Sequence, residues 1–289
     1  MEWSERMNAA IDYIEENLAG EIDLTAAAER TACSLFYFHR VFLAVNGITP
    51  AEYTRRRRLT LAAAELTGGR GRVIDIALTY GYESPDAFAR VFRNMHGVTP
   101  TAAREPGVQL MAYPRLSFHS ESKGGADMDY RIIDKPAIPV AMVSRRFSNV
   151  DGQNLIDIPK WWEEFTASWD CTELTNIRGN GPGKQTGGLM LGVCYGEEET
   201  GEFHYAIAVE MEEDAGAGTF EKMMIPATTW AVFDCMLPEL QDITRKVFSE
   251  WYLSTGYEHP GTPDLEVYLN EMPDEEMTCQ IWAPVTRKS

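Results

Sequence analysis

The sequence predicts two domains: an all-α domain of two helix-turn-helix units over residues 1–107, and, after a linker over 108–127, an α+β domain over 128–289. The second domain is a tandem duplication in which the order strand, helix, strand, strand occurs twice. Three observations carry this expectation. Apolar residues recur at helical spacing through the first hundred residues and switch to alternation afterwards. Within the first part a pattern returns fifty residues on, Phe38-His39-Arg40-Val41-Phe42 with Gly47-Ile48-Thr49-Pro50 against Phe88-Ala89-Arg90-Val91-Phe92 with Gly97-Val98-Thr99-Pro100. The charge also divides: residues 1–107 carry 12 Arg and no Lys against 14 acids, whereas the remaining 14 bases face 30 acids. A chain of 289 residues with 44% apolar residues is long for one core and comfortable as two.

Met7, Ile11, Ile14 and Leu18 mark the first helix, with Gly20 as its stop. A short second helix covers Leu24 to Arg30. A third follows Ser34 as N-cap, with Phe38, Val41, Phe42 and Val45 as its apolar face and Gly47 closing it. A longer helix opens at Pro50 and runs through Leu66 to Gly68-Gly69. Val73 to Leu78 form a short helix, Gly81 breaks it, and Ser84 caps the next, with Pro85 at its favoured first position. That last helix buries Phe88, Val91 and Phe92 and ends at Gly97. Each unit, short helix then tight turn then second helix, has the geometry that places its second helix in a major groove.

The linker between Pro106 and Asp127 is loosest at Ser120 to Gly125. Beyond it, strands are expected near 129–134 and 139–147, a helix near 158–169, and strands near 188–195 and 203–211. The second set has strands near 219–225 and 228–236, a helix near 239–255, and strands near 264–270 and 277–285. Lys135-Pro136-Ala137-Ile138-Pro139-Val140-Ala141 parallels Ile225-Pro226-Ala227-Thr228-Thr229-Trp230-Ala231, and Leu191-Gly192-Val193-Cys194-Tyr195 parallels Leu265-Glu266-Val267-Tyr268-Leu269.

Several function classes are disfavoured. No apolar run approaches the length that spans a bilayer, and the N-terminus lacks a basic start and an apolar stretch, so no membrane partner or secretory signal is expected. Cys33, Cys171, Cys194, Cys235 and Cys279 are an odd, scattered set, which fits buried thiols in a reducing cytoplasm. The five His show no paired ligand spacing, and Gly179 to Gly183 is not followed by the Lys-Ser/Thr of a phosphate cradle. No metal, cofactor or catalytic set is therefore expected.

Residues 5–105 resemble the AraC/XylS-type DNA-binding domain. The resemblance is most specific in Ile74-Asp75-Ile76-Ala77-Leu78-Thr79-Tyr80-Gly81-Tyr82-Glu83-Ser84 and the Phe88-to-Arg93 and Gly97-to-Pro100 stretches that follow. Two positions depart from the family pattern: Ala32 stands where Gly is common, and Ala103 where Tyr is common. The first turn is accordingly expected to be strained or shifted. The resemblance implies one rigid helix joining the units, so that both recognition helices meet consecutive grooves on one face of double-stranded DNA. Pro50 to Leu66 is roughly 25 Å of helix at about 1.5 Å per residue, and the flanking turns approach the roughly 34 Å duplex repeat.

By this resemblance Phe36, His39 and Arg40 take base-reading positions, Arg40 as a guanine reader and Phe36 against a thymine methyl. The matching positions of the second unit are Pro85, Asp86 and Arg90. Pro85 donates no hydrogen bond, and Asp86 is repelled by phosphate but accepts from cytosine, so the first unit and Arg90 are expected to carry most specificity. Phosphate contact or a solvated charge remains the alternative for each Arg. Arg93 and Arg55 are further candidates for the DNA face. Within Arg55-Arg56-Arg57-Arg58, successive helical residues point in different directions, so at most two face one duplex. The acidic second domain has to sit away from phosphate.

Residues 128–286 resemble the GyrI-like effector-binding domain, with Asp264-Leu265-Glu266-Val267-Tyr268 and Ile281-Trp282-Ala283-Pro284-Val285 as its marks. Strand alternation puts Leu265, Val267 and Leu269 on one face and Glu266 and Tyr268 on the other. Gly192 is the counterpart of Glu266, which suggests a cleft with a carboxylate on one wall and open space on the other. A carboxylate in an aromatic cleft calls for a cation or a donor. Phe147, Trp161, Trp162, Tyr195, Trp230 and Tyr268 are candidate lining for stacking on an organic cation, although aromatic residues in this pattern also serve as core.

The leading expectation is a transcription regulator, not an enzyme, whose second domain senses a small lipophilic or cationic effector. DNA, that effector and RNA polymerase are its candidate partners. Two alternatives stand beside it: a hydrolase of reactive electrophiles using Glu266 and Tyr268, and a protein-interaction module.

Overall fold

A computed structural model of the chain describes residues 3–33, 35–69, 71–118, 128–149, 152–179, 181–196, 202–270 and 277–287, with the side chain of Phe36 outside that description. The early helices are α1 (Trp3–Glu16), α2 (Leu24–Arg30), α3 (Leu35–Asn46), α4 (Pro50–Thr67), α5 (Val73–Thr79) and α6 (Pro85–His96), followed by a 3-10 turn at Ala102–Arg104. Contacts divide the chain into two units, one of residues 1–32 and 50–120, the other of residues 33–49 and 121–289. Helix α3 thus groups with the second unit.

In the first unit α2 and α6 begin at side-chain caps. Asp23 opens α2 by accepting from the Thr25 and Ala26 amides at 2.8 and 3.2 Å. Ser84 accepts from the Ala87 amide at 3.2 Å, Pro85 takes the first position of α6, and Gly97 closes it at φ 75°. Apolar residues at helical spacing from α4, α5 and α6 then form one core: Leu59, Ala62, Leu66, Ile76, Ala77, Tyr80, Phe88 and Phe92. Residues 108–118, expected as part of a linker, are instead stitched onto this unit. The Tyr113 amide donates to Thr60 Oγ1 at 3.0 Å, the Leu116 amide to Tyr53 Oη at 3.2 Å, and the Phe118 amide to Asn8 Oδ1 at 2.8 Å. Ser120 to Gly125, the expected loosest stretch, lies outside the described residues.

The turn after α2 carries the strain expected of it. Ala32 adopts φ 58°, and it is the single non-glycine residue with positive φ among the described residues. A Cβ in this region meets its own backbone, which is why Gly is common there.

The second unit is an antiparallel sheet whose strands are β1 (Arg131–Lys135), β2 (Ile138–Ser148), β3 (Met190–Tyr195), β4 (Glu202–Glu210), β5 (Glu221–Ile225), β6 (Thr228–Met236), β7 (Tyr257–Glu258), β8 (Asp264–Tyr268) and β9 (Thr278–Arg287). Their spatial order is β1-β6-β9-β8-β3-β4-β2-β5, with β7 added on β9. This order is a palindrome of the duplication. Each repeat lends its short first strand to the other, β1 pairing with β6 and β5 with β2. The two repeats join at β3 and β8, where Gly192 is in register with Glu266.

Helices α7 (Asn154–Thr166) and α8 (Trp169–Arg178) follow β2, and α9 (Leu240–Lys246) continues through a π turn at Val247–Trp251 into α10 (Tyr252–Ser254). Helix α8 and the short β7 were not expected from the sequence. One face of the sheet carries Leu191, Val193, Ala206, Ala208, Trp230, Val232, Leu265, Val267 and Trp282, whose near-complete burial makes the core. Alternation sends Gly192, Cys194, Tyr205, Asp264, Glu266 and Tyr268 to the opposite face.

Candidate functional site

Glu266 stands at the centre of that opposite face. Its Oε2 accepts from Tyr205 Oη at 2.5 Å and from Tyr268 Oη at 2.7 Å, and Trp162 Nε1 donates to Tyr205 Oη at 2.9 Å. Tyr205, Tyr268, Trp161 and Trp162 are all buried. Phe147 and Trp161 pack edge-on to Tyr205, and Trp162 packs edge-on to Tyr268 with ring centroids 4.8 Å apart. Burial pushes the Glu266 carboxyl above its ordinary range. The two phenol hydrogen bonds and the Arg40 charge oppose that rise without cancelling it. Burial likewise raises the Tyr205 and Tyr268 phenols well above their ordinary value, so both remain donors.

The space expected above Gly192 is filled. A Cβ built there would lie 2.1 Å from Tyr205 Oη and 2.7 Å from Glu266 Oε2. The glycine is needed because the Tyr205 ring and the carboxylate come together over its backbone. Tyr205 was missed in the sequence, and parity would have found it: in the β3–β4 register Cys194 opposes Tyr205, which places its ring on the Gly192 face. Two expected lining residues lie elsewhere. Trp230 packs against Trp282 in the core of the other face, and Tyr195 shares the parity of Val193 and packs against that same core. Strand parity, not aromatic type, decides which rings reach Glu266.

The same face carries a second carboxylate. Asp264 lies two residues before Glu266 on β8, in register with Cys194. Its Oδ1 is 3.1 Å from His259 Nε2, while its Oδ2 is buried with no hydrogen-bond partner among the described residues. Helix α3 approaches this end of the row. Tyr37 packs edge-on to Tyr252 at 5.5 Å and stacks on His259 at 5.6 Å. The Arg40 guanidinium sits 4.3 Å over the Phe248 ring. Burial raises the Cys194 thiol as it raises Glu266, and the Arg40 charge opposes both rises. A separate open groove of about 410 Å³, lined by Ala44, Val45, Arg245, Lys246, Ser249 and Glu250, does not include Glu266.

The expected facing of α3 is reversed at two positions. Val45, expected in the core, is 41% exposed, whereas His39, expected outward, is 1% exposed. The helical period alone does not choose between an aromatic imidazole and a valine at the edge of an apolar stripe. The side chain of Phe36 lies outside the described residues. On α6, Pro85, Asp86, Arg90 and Arg93 are all exposed, on the helix whose other side buries Phe88 and Phe92.

The arginine run of α4 divides by direction. Arg57 holds Glu15 through two bonds of 2.8 Å and donates to the Tyr113 carbonyl at 2.6 Å. Arg58 donates to the Leu18 carbonyl at 3.0 Å. Arg56 pairs with Glu52 and lies 4.6 Å over the Tyr113 ring. Arg55 also pairs with Glu52, yet its side chain stays 48% exposed. Arg57 and Arg58 tie α4 to α1 and to the turn after it, so Arg55 is the member of the run most open to solvent.

Comparison with known proteins separates a helical part from a sheet part and places α3 with the helical one. Residues 128–286 match the GyrI-like small molecule binding domain, and residues 27–106 match a helix-turn-helix domain. The chain is 37% identical over 94 residues to the regulatory protein SoxS of Salmonella typhimurium, covering 32% of this chain and 88% of that one. It is 38% identical over 104 residues to YbfP of Bacillus subtilis, an HTH-type transcriptional regulator, covering 36% of this chain and about a third (35%) of that one. Among solved structures, SAV2435 bound to tetraphenylphosphonium is 20% identical, covering 55% of this chain and 94% of that one with a TM-score of 0.45. The chain belongs to the AraC-type helix-turn-helix transcription regulators that carry a C-terminal GyrI-like small-molecule-binding domain.

Proposed function

We propose that the chain is a one-component regulator that reads double-stranded DNA through residues 1–107 and senses an organic cation at Glu266 in residues 128–289. The observation that carries this reading is a carboxylate held by two phenols among buried aromatic rings, with its affinity for a proton raised by burial. Such a group is costly to ionise alone and gains when a cation replaces the missing charge. The exposed row of Pro85, Asp86, Arg90 and Arg93 on α6, together with Arg40 of α3, is the proposed base- and phosphate-contacting set, with Arg55 added from α4. RNA polymerase is the proposed protein partner. No helix among the described residues is long and apolar enough to cross a membrane, and the cytoplasm is the proposed location.

Heat stability in the presence of lipophilic cations and neutral compounds of equal size tests the sensing half. A ligand that binds only the native state raises the midpoint by mass action. Cations are expected to raise it in the wild type and not in Glu266→Gln; equal shifts in both proteins would remove Glu266 from the site.

A second reading draws on the same geometry. Two phenols on one carboxylate also suit a hydrolase that opens a reactive electrophile, with Glu266 as nucleophile or base and Tyr205 or Tyr268 as proton donor. Slow turnover of an epoxide that stops in Glu266→Gln would favour it over binding alone.

A further inference from the structure

Arg40 is placed by sequence on a helix that reads DNA, yet its guanidinium lies over the Phe248 ring and its charge acts on Glu266 of β8. We propose that Asp264, Glu266 and Phe248 form a seat for a planar cation of the guanidinium or amidinium class, that Arg40 fills this seat from within the chain, and that the effector takes it by displacing Arg40. This rests on the reading of Glu266 as a cation site and names both the ligand class and the step that couples binding to α3.

The seat has the parts such a cation requires. Phe248 offers a ring face, on which the Arg40 guanidinium lies at 4.3 Å. Asp264 and Glu266 present two carboxylates from alternate positions of one strand, so both point to the same side of the sheet. A planar fork of N–H groups stacks by its face and binds carboxylates by its edge, which a tetrahedral ammonium does not do. Burial of an unpartnered carboxylate oxygen is unfavourable, and Asp264 Oδ2 is in that position, on a side chain only 8% exposed. Arg40 therefore leaves one acceptor of the seat unused, and a free cation that reaches it gains a charge-assisted hydrogen bond that Arg40 does not make. The Arg40 charge also opposes the burial-driven rise of Glu266 and Cys194, as expected for a cation held on Phe248 near that row.

Occupation by Arg40 also fixes α3. Tyr37, one turn before Arg40, is held by Tyr252 and His259, and His259 is held in turn by Asp264. A cation that stacks on Phe248 thus removes Arg40 from the ring face, and its hydrogen bond to Asp264 weakens that carboxylate's hold on His259, on which Tyr37 stacks. Displacement frees the side chain that the sequence assigns to guanine.

Calorimetric titration of the full chain with benzamidine, a cation at neutral pH, and with benzamide, its uncharged counterpart, tests the proposal. Removing an internal competitor raises apparent affinity by the factor of its occupancy. Arg40→Ala and Arg40→Met are each expected to bind benzamidinium about tenfold or more tightly than wild type, with benzamide silent throughout and Glu266→Gln weakened. Hydrogen exchange of residues 35–46 is expected to rise in the wild type at saturating benzamidinium. Unchanged or weaker binding in both Arg40 variants, or no change in exchange, overturns the proposal. If lipophilic cations still stabilise the wild type through Glu266 in that case, the sensing function stands without it. If no cation binds wild type or Arg40→Ala, both fall.

Discussion

Gly192 and Glu266 face each other across β3 and β8, at the seam where the two repeats of the second unit meet. The pair occupies equivalent positions of the duplication, so the fold's internal symmetry is broken where the chemistry sits. Tyr205, from β4, fills the volume that a second side chain would need.

The first consequence concerns that volume. Gly192→Ala places a Cβ 2.1 Å from Tyr205 Oη, and the phenol is held by Trp162 and Glu266. Overpacking of this kind costs about 1–3 kcal/mol. Denaturant unfolding is expected to show that loss, together with loss of the Glu266-dependent cation response. A neutral effect would mean that Tyr205 is free to move away.

The Glu266 carboxyl is raised in the fold above its ordinary value of 4.5. A raised acid is favoured in its protonated form by the native state. Its contribution is therefore present below the unfolded pKa and is lost as pH rises through the folded one. Wild type is expected to lose stability relative to Glu266→Gln as pH climbs from about 4.5. Parallel pH profiles of unfolding free energy for the two proteins would contradict it.

Arg57 and Glu15 tie α4 to α1, and both side chains are largely buried, at 12% and 14% exposure. Burial alone would raise the Glu15 carboxyl, but the hydrogen bonds from Arg57 and Tyr53 hold it below its ordinary value. Breaking a buried pair from one side costs about 3–5 kcal/mol, and partial exposure of this pair places Arg57→Ala near the lower end. Arg55→Ala removes a half-exposed guanidinium from a Glu52 that keeps Arg56 as partner, and is expected to change stability by less than about 1 kcal/mol and to weaken DNA binding instead. Thermal unfolding and DNA titration of the two variants check the contrast.

Ala32 holds φ 58° in the turn that follows α2. Ala32→Gly relieves a left-handed alanine and is expected to stabilise the protein by about 1 kcal/mol, read as a higher unfolding midpoint. A lower midpoint would place the strain elsewhere.

Local chemistry explains how far the sequence could be read. The caps and core stripe of α6 were legible, since Ser84, Pro85, Gly97 and Phe88/Phe92 each specify one feature by themselves, whereas Val91, expected in that stripe, is only partly buried. The exchange of β1 and β5 was not, because short strands carry no local mark of which repeat they pair with. Helix α8 escaped because its stripe is weak: Leu174 alone is fully buried and Trp169 is 74% exposed. Glu266 and its opposition to Gly192 could be read from alternation. The same alternation, applied to Tyr195 and Trp230, would have assigned both to the core with Val193 and Val232.

The most direct test of the account is a DNA titration with and without cation. Tight-binding duplexes are selected from a randomised pool with wild-type protein, and their affinity is measured at fixed salt in the presence and absence of the most stabilising lipophilic cation. The account predicts a change in Kd in the wild type, no change in Glu266→Gln, and weak binding by Arg90→Ala with or without ligand. Cation-independent affinity in a wild type that demonstrably binds the cation would contradict the link between Glu266 and DNA.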